Sequence, residues 1–250
     1  MNHEQTTDGE RAVARLLATV TTGEAPVSRP RFCGCGGEVR EFTPGYRAWA
    51  CPPCIAKDRE SRTLAAVAHA EGQIPARYDG IRLNSPPVIA KAHPKAVAAA
   101  RRALADGVDV LTLRGGPGAA KSLLAAALCR DVLDAAVSGC SPATLSRASR
   151  LRWMSAMKIG TARRESPLSS EPALLREAKA ASFLVIDEFG REAEPRDMFE
   201  VLDWRHSQRL TTIFTTGMTV AALEALDDGG LARRILEPPF AALADLGERQ

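Results

Sequence analysis

The sequence has no apolar run that approaches the roughly 18–20 residues needed to cross a bilayer, because Arg, Lys or Asp interrupts each apolar stretch. Its first segment, Met1–Glu10, is polar and acidic and does not resemble a secretory signal. These absences argue against a membrane-spanning or secreted protein. We therefore expect a soluble, cytoplasmic protein with no membrane partner.

A strong net charge of one sign is also missing. The formal net charge is +3 and the pI is about 8.6. Strongly basic nucleic-acid-binding domains have a pI above about 9, which this chain does not reach. The four histidines have no metal-ligand spacing. The chain does have length and apolar content: 250 residues, 45% hydrophobic and 25% charged, are enough for one α/β core and a small module.

Four of the six cysteines lie close together, as two pairs: Cys33, Cys35, Cys51 and Cys54. Two close pairs separated by a hairpin's length of chain can present four thiolates to one tetrahedral Zn²⁺. Glycines follow both members of the first pair and favour a tight turn, and a Pro-Gly turn lies between the pairs. The pattern predicts a two-stranded zinc ribbon with a structural metal.

Two other interpretations of these cysteines stay open. The first pair is spaced Cys-x-Cys, whereas Cys-x2-Cys is the commoner spacing in zinc sites. A disulfide is disfavoured by a reducing cytosol, and a redox Cys-x-x-Cys motif is disfavoured by the second pair nearby. Zn²⁺ is the expected ligand.

A strand–loop–helix pattern lies in the middle of the chain, where an aliphatic run (108–114) precedes a glycine-rich loop and a helical segment (123–137). In such a loop, backbone N–H groups and the helix amino terminus surround phosphate, Lys121 reaches the β- and γ-phosphates of ATP, and Ser122 joins the Mg²⁺ shell. The predicted nucleotide-binding residues are Gly115, Gly116, Pro117, Gly118, Ala119, Ala120, Lys121, Ser122 and Leu123.

Ala120 stands where the phosphate-loop pattern has Gly. If this position is left-handed, Ala costs on the order of 1 kcal/mol relative to Gly. That cost is small beside several charge-assisted hydrogen bonds to phosphate. For the loop taken alone, a plain glycine-rich turn is the alternative.

An apolar strand (182–186) ends in two carboxylates. Asp187 is predicted to hold Mg²⁺, directly or through water. Glu188 is predicted to polarise the attacking water as general base. An acidic loop start is the plainer interpretation of the pair, but its order and separation from the phosphate loop favour nucleotide chemistry.

Together, the motifs resemble the DnaC/DnaI/IstB branch of AAA+ ATPases, which includes replicative helicase loaders. The matching landmarks are Ile74–Tyr78, the phosphate loop, Leu184–Gly190, Trp204–Arg205, Thr212–Thr219 and Leu231–Glu237. The resemblance implies an α/β fold, an AAA+ P-loop NTPase core with a parallel sheet sandwiched by helices. A small zinc-ribbon and helical domain precedes that core.

Further site residues follow from the resemblance. Arg234 stands in the arginine-finger position, which reaches the γ-phosphate held by a neighbouring subunit. Thr216, with Thr215 beside it, stands at sensor 1, although an ordinary Thr-rich strand end is the alternative. Gly217 stands where the family usually has Asn, so we expect ATP hydrolysis to be weak or partner-stimulated.

A basic stretch lies between the phosphate-loop helix and the acidic strand, with Trp153 among its cations. Cations that neutralise phosphate, together with a ring that stacks on bases, are the combination used in sequence-tolerant single-strand binding. The alternative is a solvated basic helix face with Trp153 in the core. The predicted DNA contacts are Arg150, Arg152, Lys158 and Arg163.

The sequence predicts a zinc-binding, partner-docking domain (1–72), a linker (73–94) and an AAA+ ATPase domain (95–250). We expect ATP-dependent loading of a replicative DnaB-type helicase onto single-stranded DNA, by a chain that forms an oligomer on the helicase. A phage or mobile element is an expected source. The alternatives are an IstB-like ATPase that regulates transposition, and a nucleotide-gated DNA- or protein-binding switch with negligible hydrolysis.

Overall fold

The computed structural model describes residues 33, 35–37, 41–43, 46–47, 51–138, 150–167, 170–190, 198–226, 230–239 and 241–247. The chain divides into two compact units, residues 1–61 and 62–250. The predicted domain limits at 72 and 94 stay predictions. Among the described residues, no helix combines the length and apolar character that a membrane span requires.

In the first unit, β1 (Glu41–Thr43) pairs antiparallel with β2 (Tyr46–Arg47). Helix α1 (Pro52–Glu71) begins in this unit directly after Cys51, and its residues from 62 onward belong to the second unit. Proline suits the first position of a helix, because its missing N–H would have no intrahelical partner there. The hairpin predicted between the cysteine pairs is confirmed.

The second unit is built on a five-stranded sheet in which every neighbouring pair is parallel. Its strands, in the spatial order β4-β5-β6-β3-β7, are β3 (Val110–Arg114), β4 (Leu151–Ser155), β5 (Phe183–Phe189), β6 (Thr211–Thr216) and β7 (Ala241–Asp245). Because parallel strands end at one edge, the loops after β3, β5 and β6 meet there. β6 lies between β3, which precedes the phosphate loop, and β5, which carries the acidic pair.

Helices surround this sheet. They are α2 (Pro86–Lys91), α3 (Pro94–Ala105), α4 (Lys121–Val137), α5 (Ala156–Arg164), α6 (Ala173–Ala180), α7 (Phe199–Ser207), α8 (Val220–Glu224) and α9 (Gly230–Leu236). A 3-10 turn, Ala76–Tyr78, precedes α2.

Strand side chains alternate between two apolar layers. Leu111 and Leu113 of β3 pack with α3 and α4, whereas Phe214 of β6 packs with α5, α6, α7 and α9 on the other face. Burial on both faces is characteristic of parallel sheets covered by helices. The predicted α/β fold, with the sheet between helical layers, is confirmed.

Arg205 of α7 is buried beside this sheet and acts as a structural link. Its guanidinium donates to the carbonyl oxygens of Ala178, Ala181 and Thr211 and to the hydroxyl of Thr212, at 2.6–2.9 Å. Burial lowers the pKa of Arg205 to about 9. These bonds join α6, α7 and the first residues of β6, at the opposite end of the strands from the phosphate loop.

Candidate nucleotide site and cysteine cluster

The phosphate loop connects β3 to α4. A Cβ at Gly115 would lie 2.9 Å from the Ala119 Cβ and 3.0 Å from the Gly247 carbonyl oxygen, so only glycine fits without a shift. Gly118 has φ +79°, which glycine adopts without strain. Ala120 stands at the N-cap of α4, and its methyl group cannot accept from the first N–H groups of the helix. A phosphate oxygen is suited to that acceptor role.

The conformation at Ala120 is the one that the phosphate-loop pattern anticipates for Gly. Its φ is 61° and its ψ is 22°, which lies in the left-handed region. A Cβ-bearing residue there costs about 1 kcal/mol relative to Gly. Strain of this kind is concentrated at ligand sites.

Lys121 folds back over the loop. Its ammonium donates to the carbonyl oxygens of Gly115, at 2.7 Å, and Gly116, at 2.8 Å. Charged phosphate oxygens are stronger acceptors than neutral carbonyls. A bound nucleotide is therefore expected to draw the Lys121 ammonium away from the loop.

Asp187 is buried near the end of β5, and one of its two carboxylate oxygens accepts two hydrogen bonds. Its Oδ1 accepts the hydroxyl protons of Ser122, at 2.6 Å, and Thr215, at 2.5 Å. The fold thus brings together the two residues predicted to hold Mg²⁺, Ser122 and Asp187. A hydroxyl and a carboxylate fit Mg²⁺, which prefers oxygen ligands.

Glu188 breaks the regular strand next to Asp187. Its φ is +62°, and the pairing of β5 with β6 is irregular between Ile186 and Phe189. The Glu188 N–H donates to the Thr215 hydroxyl at 2.9 Å. The exposed Glu188 side chain lines the same cavity as Lys121, a position compatible with the predicted role of general base.

The two threonines at the end of β6 are placed differently. Thr215 lines the cavity and contacts Asp187, whereas the buried Thr216 hydroxyl donates to the Phe189 carbonyl oxygen at 2.8 Å. Thr215 is thus better placed than Thr216 for the sensor role. At Gly217 a Cβ would be 3.9 Å from its nearest neighbour, the Gly115 carbonyl oxygen, so a side chain fits there.

The cavity beside the loop has a volume of about 480 Å³, within the range of small-molecule sites. The predicted residues that line it are Pro117, Gly118, Ala120, Lys121, Ser122, Leu123 and Glu188, while Gly115, Gly116 and Ala119 are not among its lining residues. Sequence reasoning missed Tyr78 and Lys91, which also line it. Tyr78 belongs to the family landmark Ile74–Tyr78, but the sequence assigned it no function. Lys91 lies in no motif that could have identified it.

Arg234 does not line the cavity of its own chain. It donates to Asp203 Oδ1 through Nε, at 3.1 Å, and through Nη2, at 2.5 Å, and to the Gly230 carbonyl oxygen at 2.7 Å. Its guanidinium also lies 4.8 Å from the centre of the Phe199 ring. The predicted arginine finger is therefore held on the surface formed by α7 and α9.

The four predicted DNA contacts are in different environments. Arg150 donates to the Ser182 hydroxyl at 3.0 Å, Arg152 donates to the Leu151 carbonyl oxygen at 3.0 Å, and Arg163 pairs with Glu200 at 3.4 Å. Lys158 is exposed on α5.

Trp153 packs against the core cluster that includes Leu111 and Leu113. It is partly buried, and its ring centre is 5.8 Å from that of Tyr78. The DNA contacts stay a prediction, and the stacking ring within this stretch is already engaged by the protein.

The cysteine cluster converges as the sequence predicted. The Sγ atoms of Cys33, Cys35, Cys51 and Cys54 all lie within 4.8 Å of one another. In a four-thiolate zinc site, Zn–S bonds of about 2.3 Å place the sulfurs about 3.8 Å apart. The Cys33 and Cys54 sulfurs are 3.8 Å apart, whereas those of Cys33 and Cys35, at 2.6 Å, would separate around a metal. The donor set fits Zn²⁺.

The turn before β1 makes this convergence possible. Gly36 has φ +83°, and a Cβ at Gly37 would lie 2.6 Å from the Cys51 sulfur and 3.3 Å from the Cys35 sulfur. The Cys35 thiol, followed by backbone N–H groups, stabilises the thiolate of Cys33 and lowers its pKa to about 5. The same crowding, led by Cys35, raises the pKa of Cys54 to about 12.

Comparison with known proteins gives distant structural likenesses. No family model and no curated protein matches the chain. The DnaC helicase loader is 15% identical, with a TM-score of 0.46, over 68% of this chain and 99% of that one. DnaI is 20% identical, with a TM-score of 0.44, over 70% and 89%. A primosome component from Streptococcus pyogenes serotype M3 is 17% identical, with a TM-score of 0.49, over 74% and 98%. These similarities are too low to assign a function to this chain. Its own residues have to support one.

Proposed function

We propose that the chain is a Mg²⁺-dependent AAA+ ATPase that loads a replicative DnaB-type helicase onto single-stranded DNA. The observation that supports the ATPase is one cavity lined by Lys121, Ser122 and Glu188, with buried Asp187 hydrogen-bonded to Ser122. A plain glycine-rich turn has no need of a buried carboxylate and a second, exposed carboxylate at the same place.

Each residue then has a role set by its position. The loop N–H groups and Lys121 hold the phosphates, and Ser122 and Asp187 hold the metal. When bound, Mg²⁺ neutralises charge on the phosphate oxygens. Glu188 accepts a proton from the attacking water, and the Thr215 hydroxyl holds Asp187 in place.

Within the described part of the chain, Arg234 does not line the cavity; its guanidinium is bound to Asp203 instead. We therefore propose that a second copy supplies Arg234 to the γ-phosphate in an oligomer formed on the helicase. Slow hydrolysis by the isolated chain follows from this arrangement.

The cysteine cluster supports the loading role over an IstB-like role. IstB-type proteins generally lack such a module, whereas a closed four-thiolate site stabilises a small fold of the kind that a docking module needs. We propose that this module contacts the helicase and that the ATPase unit contacts single-stranded DNA.

The test is capture of purified proteins by the immobilised full-length chain, with ATP and single-stranded DNA present. The proposal predicts capture of a DnaB-type helicase and a rise in ATP turnover on its addition. Capture of a transposase but not of the helicase would favour the IstB-like alternative. Helicase capture with no turnover under any condition would favour the switch.

A further inference from the structure

A second cation beside the phosphate site is not part of the roles assigned above. Arg77 lies in the 3-10 turn before the core, and its Nη2 is 3.5 Å from Oδ2 of Asp187. The Arg77 side chain is 63% exposed, whereas that of Asp187 is 5% exposed. An exposed guanidinium thus faces the buried carboxylate that the proposed function gives to Mg²⁺.

The two oxygens of Asp187 have different partners. Oδ1 accepts from the hydroxyls of Ser122 and Thr215, and Oδ2 faces Arg77. A divalent ion held by Ser122 and Asp187 would need the same negative charge that now attracts Arg77. Since like charges repel and the carboxylate carries a single charge, the ion and the guanidinium oppose each other at this site.

We propose that Arg77 competes with the divalent cation of the bound nucleotide for Asp187, and so sets the metal concentration at which the site fills. This inference rests on the proposed function, because it takes Asp187 to be a Mg²⁺ residue. Arg77 acts here as a positioning residue that holds the carboxylate until the metal arrives.

The surroundings of Arg77 allow the side chain to leave while the backbone stays in place. Its contact with Asp187 is a single one at the long end of hydrogen-bond distances, and not a bidentate pair. The guanidinium also lies 4.7 Å from the centre of the Tyr78 ring, a second favourable position. The buried Arg130 donates to the Tyr78 carbonyl oxygen at 2.7 Å and fixes the turn.

The test uses full-length protein and the fluorescent nucleotide mant-ADP, with MgCl₂ added in steps to a fixed nucleotide concentration. Arg77→Ala should lower the Mg²⁺ midpoint of binding by roughly threefold to fivefold, as expected for an ion pair with one exposed member. Arg77→Lys should fall between Arg77→Ala and wild type. The matched control is Arg82→Ala, whose guanidinium pairs with Glu71 and Asp134 instead.

A second arm measures mant-ADP affinity in EDTA, and thermal unfolding confirms that each variant is folded. The inference predicts no loss of metal-free affinity in Arg77→Ala. An unchanged or raised Mg²⁺ midpoint would overturn it, and so would a metal-free loss of affinity, which would make Arg77 a phosphate ligand. These results leave the ATPase proposal intact, whereas absence of mant-ADP binding by wild type would overturn both.

Discussion

The cysteine cluster and the nucleotide site are both sets of converging polar groups, but one is complete and the other is open. Four sulfurs from a single chain lie within 4.8 Å of one another, the number of ligands that a tetrahedral zinc shell takes. The nucleotide site has a cavity of about 480 Å³, and the predicted finger Arg234 is not among its lining residues. The difference agrees with our proposals of a structural role for the first and a reactive, partner-dependent role for the second.

The largest expected effect comes from breaking the complete site. Cys51→Ser should remove bound zinc, because three thiolates no longer close the shell, and should unfold the first unit. Structural zinc sites contribute binding free energies of about 10–16 kcal/mol in small domains. Metal analysis and circular dichroism of the full chain check this.

Cys129→Ser is the matched control, since that buried thiol lies in the second unit and outside the cluster. Burial raises the pKa of Cys129, so it stays a neutral thiol at pH 7. Acid should also release the metal from wild type, because protons compete for the four thiolates as pH falls. Zinc content that survives in Cys51→Ser would contradict the structural role.

An effect of intermediate size is expected at the open site. Arg234→Ala should lower helicase-stimulated ATP turnover by about 10³-fold, the range of an arginine finger, while leaving ATP affinity unchanged. Steady-state turnover and nucleotide titration separate these quantities. The control is Arg233→Ala, an exposed neighbour on the same helix.

If Arg234→Ala and Arg233→Ala have equal turnover, the site is not completed by Arg234. Mixing Arg234→Ala with Lys121→Ala chains sharpens the comparison. Because each chain would supply the part that the other lacks, turnover should partly recover in mixed oligomers.

The smallest expected effect concerns the phosphate loop itself. Ala120→Gly should raise the free energy of unfolding of the second unit by at most about 1 kcal/mol, because it removes the left-handed strain at this position. The gain is limited because glycine also raises the conformational entropy of the unfolded chain. Denaturant unfolding measures this change. The control is Ala119→Gly, because Ala119 has no positive φ and its replacement relieves no left-handed strain. If the two variants lose the same amount of stability, Ala120 is not strained.

The phosphate-loop and acidic-pair motifs could be recognised in the sequence because they are local. The loop, the strand before it and the helix after it are contiguous, and the acidic pair follows a buried apolar run. The left-handed conformation at Ala120 could be anticipated for the same reason. The α/β fold with helices on both faces follows from these alternating elements.

Contacts between distant segments could not be predicted. All six residues of β6 are buried, so no polar–apolar alternation shows whether Thr215 or Thr216 faces the site. Tyr78 and Lys91 reach the cavity from segments that precede β3. Arg205 belongs to a family landmark, but the sequence does not show its buried bonds to Ala178 and Thr211. The Asp203–Arg234 pair also joins residues on separate helices.

The most direct test of the central claim is ATP binding and turnover by Glu188→Gln, measured beside wild type with a DnaB-type helicase and single-stranded DNA present. Glu188 lines the cavity but is exposed, so the substitution should leave the fold and ATP affinity unchanged. Turnover should fall by about 10²-fold or more, because the general base is lost. Equal turnover in Glu188→Gln and wild type would contradict the assignment of this cavity as an ATPase site.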